Sequence, residues 1–104
     1  MRLFLLIITC WALMGAAQAQ SAAALLRDCV APREMPDVVA SSGVVPPARA
    51  VMTARQQVPN ADVVRANLCR GQNAFVYVIV ALRRDGRIVH VMIDGPSGRV
   101  ASVQ

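Results

Sequence analysis

The chain has 104 residues, with eleven arginines and no lysine against six acidic side chains, a formal net charge of +5. That length holds one small domain at most. Hydrophobic residues make up 56% and aromatics only 4%, which excludes a largely disordered chain and leaves Ala, Val, Leu, Ile and Met to build the core.

The apolar weight is unevenly spread. Arg2 precedes the apolar run Leu3 to Met14, and Ala17-Gln18-Ala19 supplies an A-x-A site. This is the form of a secretory signal peptide, cleaved after Ala19. The run is too short for a span of roughly 20 apolar residues, so no stable membrane insertion is expected once it is removed. Cys10 lies inside the run without the small-residue context of a lipoprotein site. The organisation expected is a leader at 1–19, an N-terminal helix and connector at 20–45, and a folded domain at 46–104. Cleavage takes away Trp11 and leaves Phe75 and Tyr77 as the only aromatics, and Cys29 and Cys69 as the only cysteines. In an oxidising periplasmic or extracellular compartment two such cysteines read as one structural disulfide, worth about 4 kcal/mol for a loop of that length in the chain-entropy account. A redox pair has no C-x-x-C spacing or neighbouring His to support it.

Beyond the leader, Ser21 to Val30 reads as a short helix stopped by Pro32. The proline-rich stretch Ala31 to Pro47 reads as connector with one turn at Pro36 to Ala40. Pro46-Pro47 opens a helix over Ala48 to Gln57, with Ala48, Val51, Met52 and Arg55 at helical spacing, and Pro59 ends it. From Ala61 the period becomes two, giving strands at Asp62–Arg70, Ala74–Arg83 and Arg87–Asp94, and an edge strand over Arg99–Val103. A two-residue type I′ turn at Asp85-Gly86 would pair Leu82 with Val89, Val80 with Val91 and Val78 with Ile93. A three-residue Gly71-Gln72-Asn73 loop would add Leu68 opposite Val76, with Ala66 and Val64 further along, completing one wholly apolar core face. In that register Phe75, Tyr77, Ile79, His90 and Met92 fall on the second face, with Cys69 beside Phe75 and Asp94 opposite Tyr77. That face is too apolar to stand bare. The N-terminal helix tied through Cys29–Cys69, a homodimer packed face to face, or a bound partner would each cover it. The fold class is therefore α+β: a helix packed on a small antiparallel sheet of three to four strands, preceded by a short N-terminal helix.

Groups able to do chemistry are few. His90 is the single histidine, and with the cysteines bridged no metal set can be assembled, so neither metal nor cofactor is expected. The serines sit in no nucleophile motif. Asp94 precedes Gly95-Pro96-Ser97-Gly98 and reads as a turn-fixing carboxylate, with Ser97 in the same role. Arg83, Arg84 and Arg87 gather with Asp85 at one hairpin tip, a cluster suited to an acidic partner or an anionic membrane surface. Export and the lack of a stacking platform speak against nucleic acid.

Tyr77-Val78-Ile79-Val80, the Asp85-Gly86 hairpin, the strand Ile88 to Ile93, and Asp94-Gly95-Pro96-Ser97-Gly98-Arg99-Val100 together resemble the PepSY domain. That family shows Tyr-x-Val, a D-G hairpin and a strand ending in D-x-x-T-G-x-V. Val58-Pro59-Asn60-Ala61 is similar to its Pro-Gly turn, with Asn60 for Gly and Ser97 for Thr, and Asn tolerates positive φ. The resemblance covers about Val45 to Val103. It implies a helix on an antiparallel sheet in an exported or membrane-associated bacterial protein, and a role in inhibiting or regulating peptidases outside the cytoplasm. The motif carries no catalytic residue. The expected function is thus a non-enzymatic periplasmic binding module acting on a peptidase or envelope protein. The second reading is a structural or ligand-binding protein that takes a small apolar molecule or peptide on the second face. Thiol titration of the cleaved, oxidised and denatured protein should find neither Cys29 nor Cys69 reactive; two free thiols would remove the bridge.

Overall fold

The computed structural model describes residues 21–104, so the leader expected at 1–19 and its cleavage site lie outside the described residues. Four strands, β1 (Ala61–Arg70), β2 (Phe75–Arg83), β3 (Ile88–Asp94) and β4 (Val100–Val103), pair in sequence order as an antiparallel meander. Helices α2 (Met35–Ser42) and α3 (Pro47–Gln57) pack on one face, and a single helical turn, α1 (Ala22–Leu25), lies on the other. The class is α+β.

The strands sit where periodicity puts them, but the register differs by one residue at both hairpins. Leu82 pairs with Ile88, Val80 with His90 and Val78 with Met92, whereas the type I′ turn would have set Leu82 against Val89. The cause is the turn. The N–H of Gly86 donates to the Arg83 carbonyl at 3.0 Å, and the N–H of Arg83 donates to the Arg87 carbonyl at 2.9 Å, closing a three-residue loop Arg84-Asp85-Gly86. Gly86 takes φ of 85°, but Asp85 does not join it at positive φ, as a type I′ turn would require. The Asp85 carboxylate instead accepts from the Arg87 N–H at 3.0 Å. The first loop is likewise one residue longer than expected: Arg70 pairs with Phe75 around Gly71–Ala74, and Leu68 faces Tyr77 rather than Val76.

The slip inverts only β2. Leu68, Val91 and Ile93 still face the main core, now joined by Tyr77 and Ile79, and all five are fully buried. Residues 75–82 are apolar on both sides, so alternation within β2 cannot choose its facing, and turn geometry decides. A bulge between Val63 and Arg65 then leaves Val64 exposed instead of in the core.

Residues 31–47 hold more structure than a connector. A 3₁₀ turn at Pro32–Glu34 leads into the eight-residue helix α2, which ends at Gly43 with φ of 65°. Pro36 sits in its first turn, where a missing N–H costs nothing, so the prolines start this helix rather than prevent it. Met35, Val38 and Val39 pack on the main core together with the buried Val30, Val44 and Val45, so the stretch 20–45 and the sheet share one core. Helix α3 buries Ala50 and Ala54, not the stripe of Ala48, Met52 and Arg55, and Met52 is exposed. Two alanines one turn apart let this helix approach the sheet closely. Asn60 follows at φ of 62° and turns the chain into β1.

At the N-terminus the Ser21 hydroxyl accepts the Ala24 N–H at 3.2 Å, and α1 lasts only four residues. The expected helix to Val30 stops early because Asp28–Val30 is drawn alongside β1: Val30 N–H donates to Leu68 and Arg70 N–H to Asp28, both at 2.8 Å. The Cys29–Cys69 disulfide lies within this short pairing. Ala22 and Leu25 cover Cys69, Val78 and Met92, so the N-terminal segment does lie over part of the second face. Cys69 is opposite Val76, not beside Phe75.

The two layers of the main core meet at Val45, in the linker between α2 and α3. Its N–H donates to the Gly95 carbonyl at 2.8 Å, and its carbonyl accepts the buried Tyr77 hydroxyl at 2.6 Å. Tyr77 therefore bonds to Val45 and not to Asp94, because it points toward the helices. Burial pushes its pKa above the usual 10, so the neutral, donating form is the one the fold holds. Gly95 in turn donates to Phe75 at 2.8 Å, and a Cβ there would lie 2.5 Å from that carbonyl oxygen and 2.9 Å from Val44 Cγ1. Tyr77→Phe should cost about 1–3 kcal/mol in urea unfolding, because the buried Val45 carbonyl loses its partner. Gly95→Ala should cost more, and an unchanged midpoint for Tyr77→Phe would remove this role.

Candidate binding site

The five side chains expected on one open face do not share it. Tyr77 and Ile79 are wholly buried beneath the helices, with Phe75 partly buried on the same side. Met92 is on the other side, closed over by α1. His90 lies there too, partly buried opposite Val80, with its backbone paired in both directions to Gln104 at 2.7 and 2.8 Å. The one-residue register difference turns Tyr77 and Ile79 toward the helices and leaves His90 and Met92 on the other face, so the five do not line one surface.

Phe75 instead forms one wall of a cleft of about 510 Å³ at the end of the sheet. The loop Gly71–Ala74 makes its rim, Ser42 and Val44 contribute from the end of α2 and the linker beyond it, and Pro96 closes it from the β3–β4 turn. Arg70 and Phe75 are the last paired residues of their hairpin, directly opposite each other. That pairing sets the Arg70 guanidinium 5.9 Å from the centre of the Phe75 ring, within cation–π range. Arg70 Nη1 also meets Asp28 Oδ1 at 3.1 Å. Both partners are at least half exposed, so this pair contributes little to stability but fixes where the guanidinium stands. One of its five N–H donors is used there. Gln72 and Asn73 add amide groups at the rim. An apolar wall with a held cation beside it and amides above suits an extended peptide with an acidic or C-terminal carboxylate. The sequence reading passed over Arg70. The signal was an arginine before a Gly-x-x-x-aromatic loop, and it becomes visible only when that loop is counted at four residues.

Pro96 is placed by Asp94. The Asp94 carboxylate accepts the Ser97 hydroxyl at 2.6 Å and the Ser97 N–H at 2.9 Å, while its backbone bonds to Gly98 and Arg99 at 2.8 Å each. The Ser97 hydroxyl first, and its N–H second, hold the Asp94 pKa below the usual 3.8.

Among the described residues, no three His, Cys, Asp or Glu side chains come together as a metal site would need, and no helix is long and apolar enough to cross a membrane. No protein-family model, curated protein or solved structure matches the chain.

A carboxylate with a lowered native pKa stabilises the fold above its ordinary range, and that contribution is lost as pH falls through the native value. Ser97→Ala should therefore raise the Asp94 pKa toward 3.8 in an NMR titration. The same change should cost about 1 kcal/mol of stability at neutral pH and less in acid. An Asp94 titration unaltered by the substitution would dismiss the turn as a cause.

Proposed function

We propose that the chain is a non-enzymatic binding module of the bacterial periplasm, and that it holds a peptidase or another envelope protein through the cleft at Arg70 and Phe75. The observation that carries this reading is the cleft itself, where a fixed guanidinium stands over an aromatic wall. Two further features support it. Several of the groups able to do chemistry hold the fold: Tyr77 on Val45, Asp94 on Ser97, and the cysteines on each other. The disulfide also fits an oxidising compartment outside the cytoplasm. The resemblance of Asp94 to Val100 to the PepSY motif is what motivates a peptidase as the partner.

The oxidised protein, immobilised against periplasmic extract of the producing bacterium, should retain a partner whose peptidase activity changes when the free module is added. Arg70→Ala should weaken that complex by about tenfold, the equivalent of about 1.4 kcal/mol. Absence of both a retained partner and any change in peptidase activity would overturn the proposal.

A further inference from the structure

Helix α1 covers only part of its face, and the part nearest the β2–β3 hairpin stays open. Strand alternation from Val78 and Met92, which α1 buries, puts Val80, Leu82, His90 and Ile88 on that same face. Asp62 stands there opposite Leu82, and Arg65 opposite Val80. The open part is thus two rows across the sheet: Asp62, Leu82 and Ile88 in one, Arg65, Val80 and His90 in the next. An acid and a base three residues apart share a face only because of the bulge between Val63 and Arg65, since unbroken period two would send them to opposite sides. Neither Asp62 nor Arg65 makes an ion pair among the described residues. Leu82 and Ile88 between and beside them are 37% and 52% exposed.

We propose that these two rows are the contact of a two-fold homodimer, in which a second copy of the chain lies face to face on the first and turned end for end. A half-turn about an axis that crosses the strands between the rows exchanges one row for the other. It lays Asp62 of each copy over Arg65 of the second copy, Leu82 over Val80, and Ile88 over His90. Each exposed charge then meets its opposite, twice by symmetry, and the aliphatics leave water between them. The charges select this orientation. An axis along β2 would instead lay Asp62 over Ile88 and Arg65 over His90, taking both charges out of water unpaired. They also select the occupant, because a surface of one sign would answer Asp62 or Arg65 and repel the other, whereas the same surface reversed answers both. The shape of the face agrees. α1 raises the rest of the face into a step over Val78 and Met92, and the half-turn places the two steps at opposite ends with the open rows between them. Two short rows make a contact of the small, reversible class rather than an obligate one. The Arg70 cleft is at the other end of β2, and the inference stands without the peptidase reading.

Sedimentation equilibrium of the oxidised protein should show a monomer passing to a dimer as concentration rises. Asp62→Arg and Arg65→Asp should each weaken the dimer by about tenfold or more, because each sets like charges against one another. Equal amounts of these two variant chains should nevertheless combine into a mixed dimer, since each supplies the charge that the other lacks. A chain carrying both substitutions should dimerise as the unsubstituted protein does. Leu82→Ser with Ile88→Ser should abolish the dimer, while Arg70→Ala should leave it unchanged. A protein still monomeric at about 1 mM, single variants that do not combine on mixing, or a dimer that survives Leu82→Ser with Ile88→Ser would each overturn the proposal, the last in favour of pairing through the β1 edge.

Discussion

The bond from the Tyr77 hydroxyl to the Val45 carbonyl is the joint on which the two layers of this fold depend. Val45 belongs to the linker between α2 and α3, a segment whose backbone groups have no helix or ladder to satisfy them once it is pressed against the sheet. Buried without partners, each would cost more than a typical hydrogen bond contributes. Tyr77 answers the carbonyl and Gly95 answers the N–H, so β2 and the β3–β4 turn together fix where the linker lies. Helix α3 starts two residues later and arrives over the sheet with Ala50 and Ala54 facing inward. A larger residue at 95 would push Val44 away from Phe75 and loosen the same joint. The most deeply buried aromatic among the described residues thus acts in the scaffold, and the surface that can meet a partner is formed by what surrounds it.

How much of this was legible in the sequence depended on which physical signal each part carries. Strand existence and order follow from period-two patterning and turn residues, and β1, β2 and β3 fall within a residue or two of that reading. Facing does not follow for β2, because 75–82 has apolar residues on both sides and either orientation buries hydrophobic area. The choice was left to Arg84-Asp85-Gly86 and Gly71–Ala74, where one residue of loop length reverses every side chain of the strand. Asp-Gly suits both a two-residue type I′ turn and a three-residue loop with glycine in the left-handed position, so the dipeptide alone could not decide. The candidate site shifted accordingly: Tyr77 and Ile79 moved from surface to core, Phe75 alone kept a place at a cleft wall, and Arg70 entered beside it.

The disulfide solves the problem that a two-sided apolar sheet creates. With α2 and α3 on one face, the other still presents Val78 and Met92, and a four-residue helix has too little intrinsic stability to stay on it unaided. Cys29–Cys69 clamps the segment at the β1 edge, and Ala22 N–H to Gln104 holds its other end at β4. The span between these fixings crosses the sheet, so a single turn of helix suffices to close half the face. An oxidising compartment is therefore a structural requirement of this covering.

The covering stops short of Leu82 and Ile88, and the same hairpin geometry explains why they are apolar neighbours at all. Under a type I′ turn, Leu82 would face the helices opposite Val89 while Ile88 kept to the other face; the three-residue loop turns Leu82 over and sets the two against each other on the uncovered face. At the other end of the sheet, the four-residue loop brings Arg70 opposite Phe75. Both of these surfaces are thus products of loop length at the ends of β2, one pairing a cation with an aromatic ring, the other setting two aliphatics against each other. Changing either loop by one residue would rotate β2 against its neighbour and dismantle the adjoining surface, together with the Tyr77 joint that holds the helices above it.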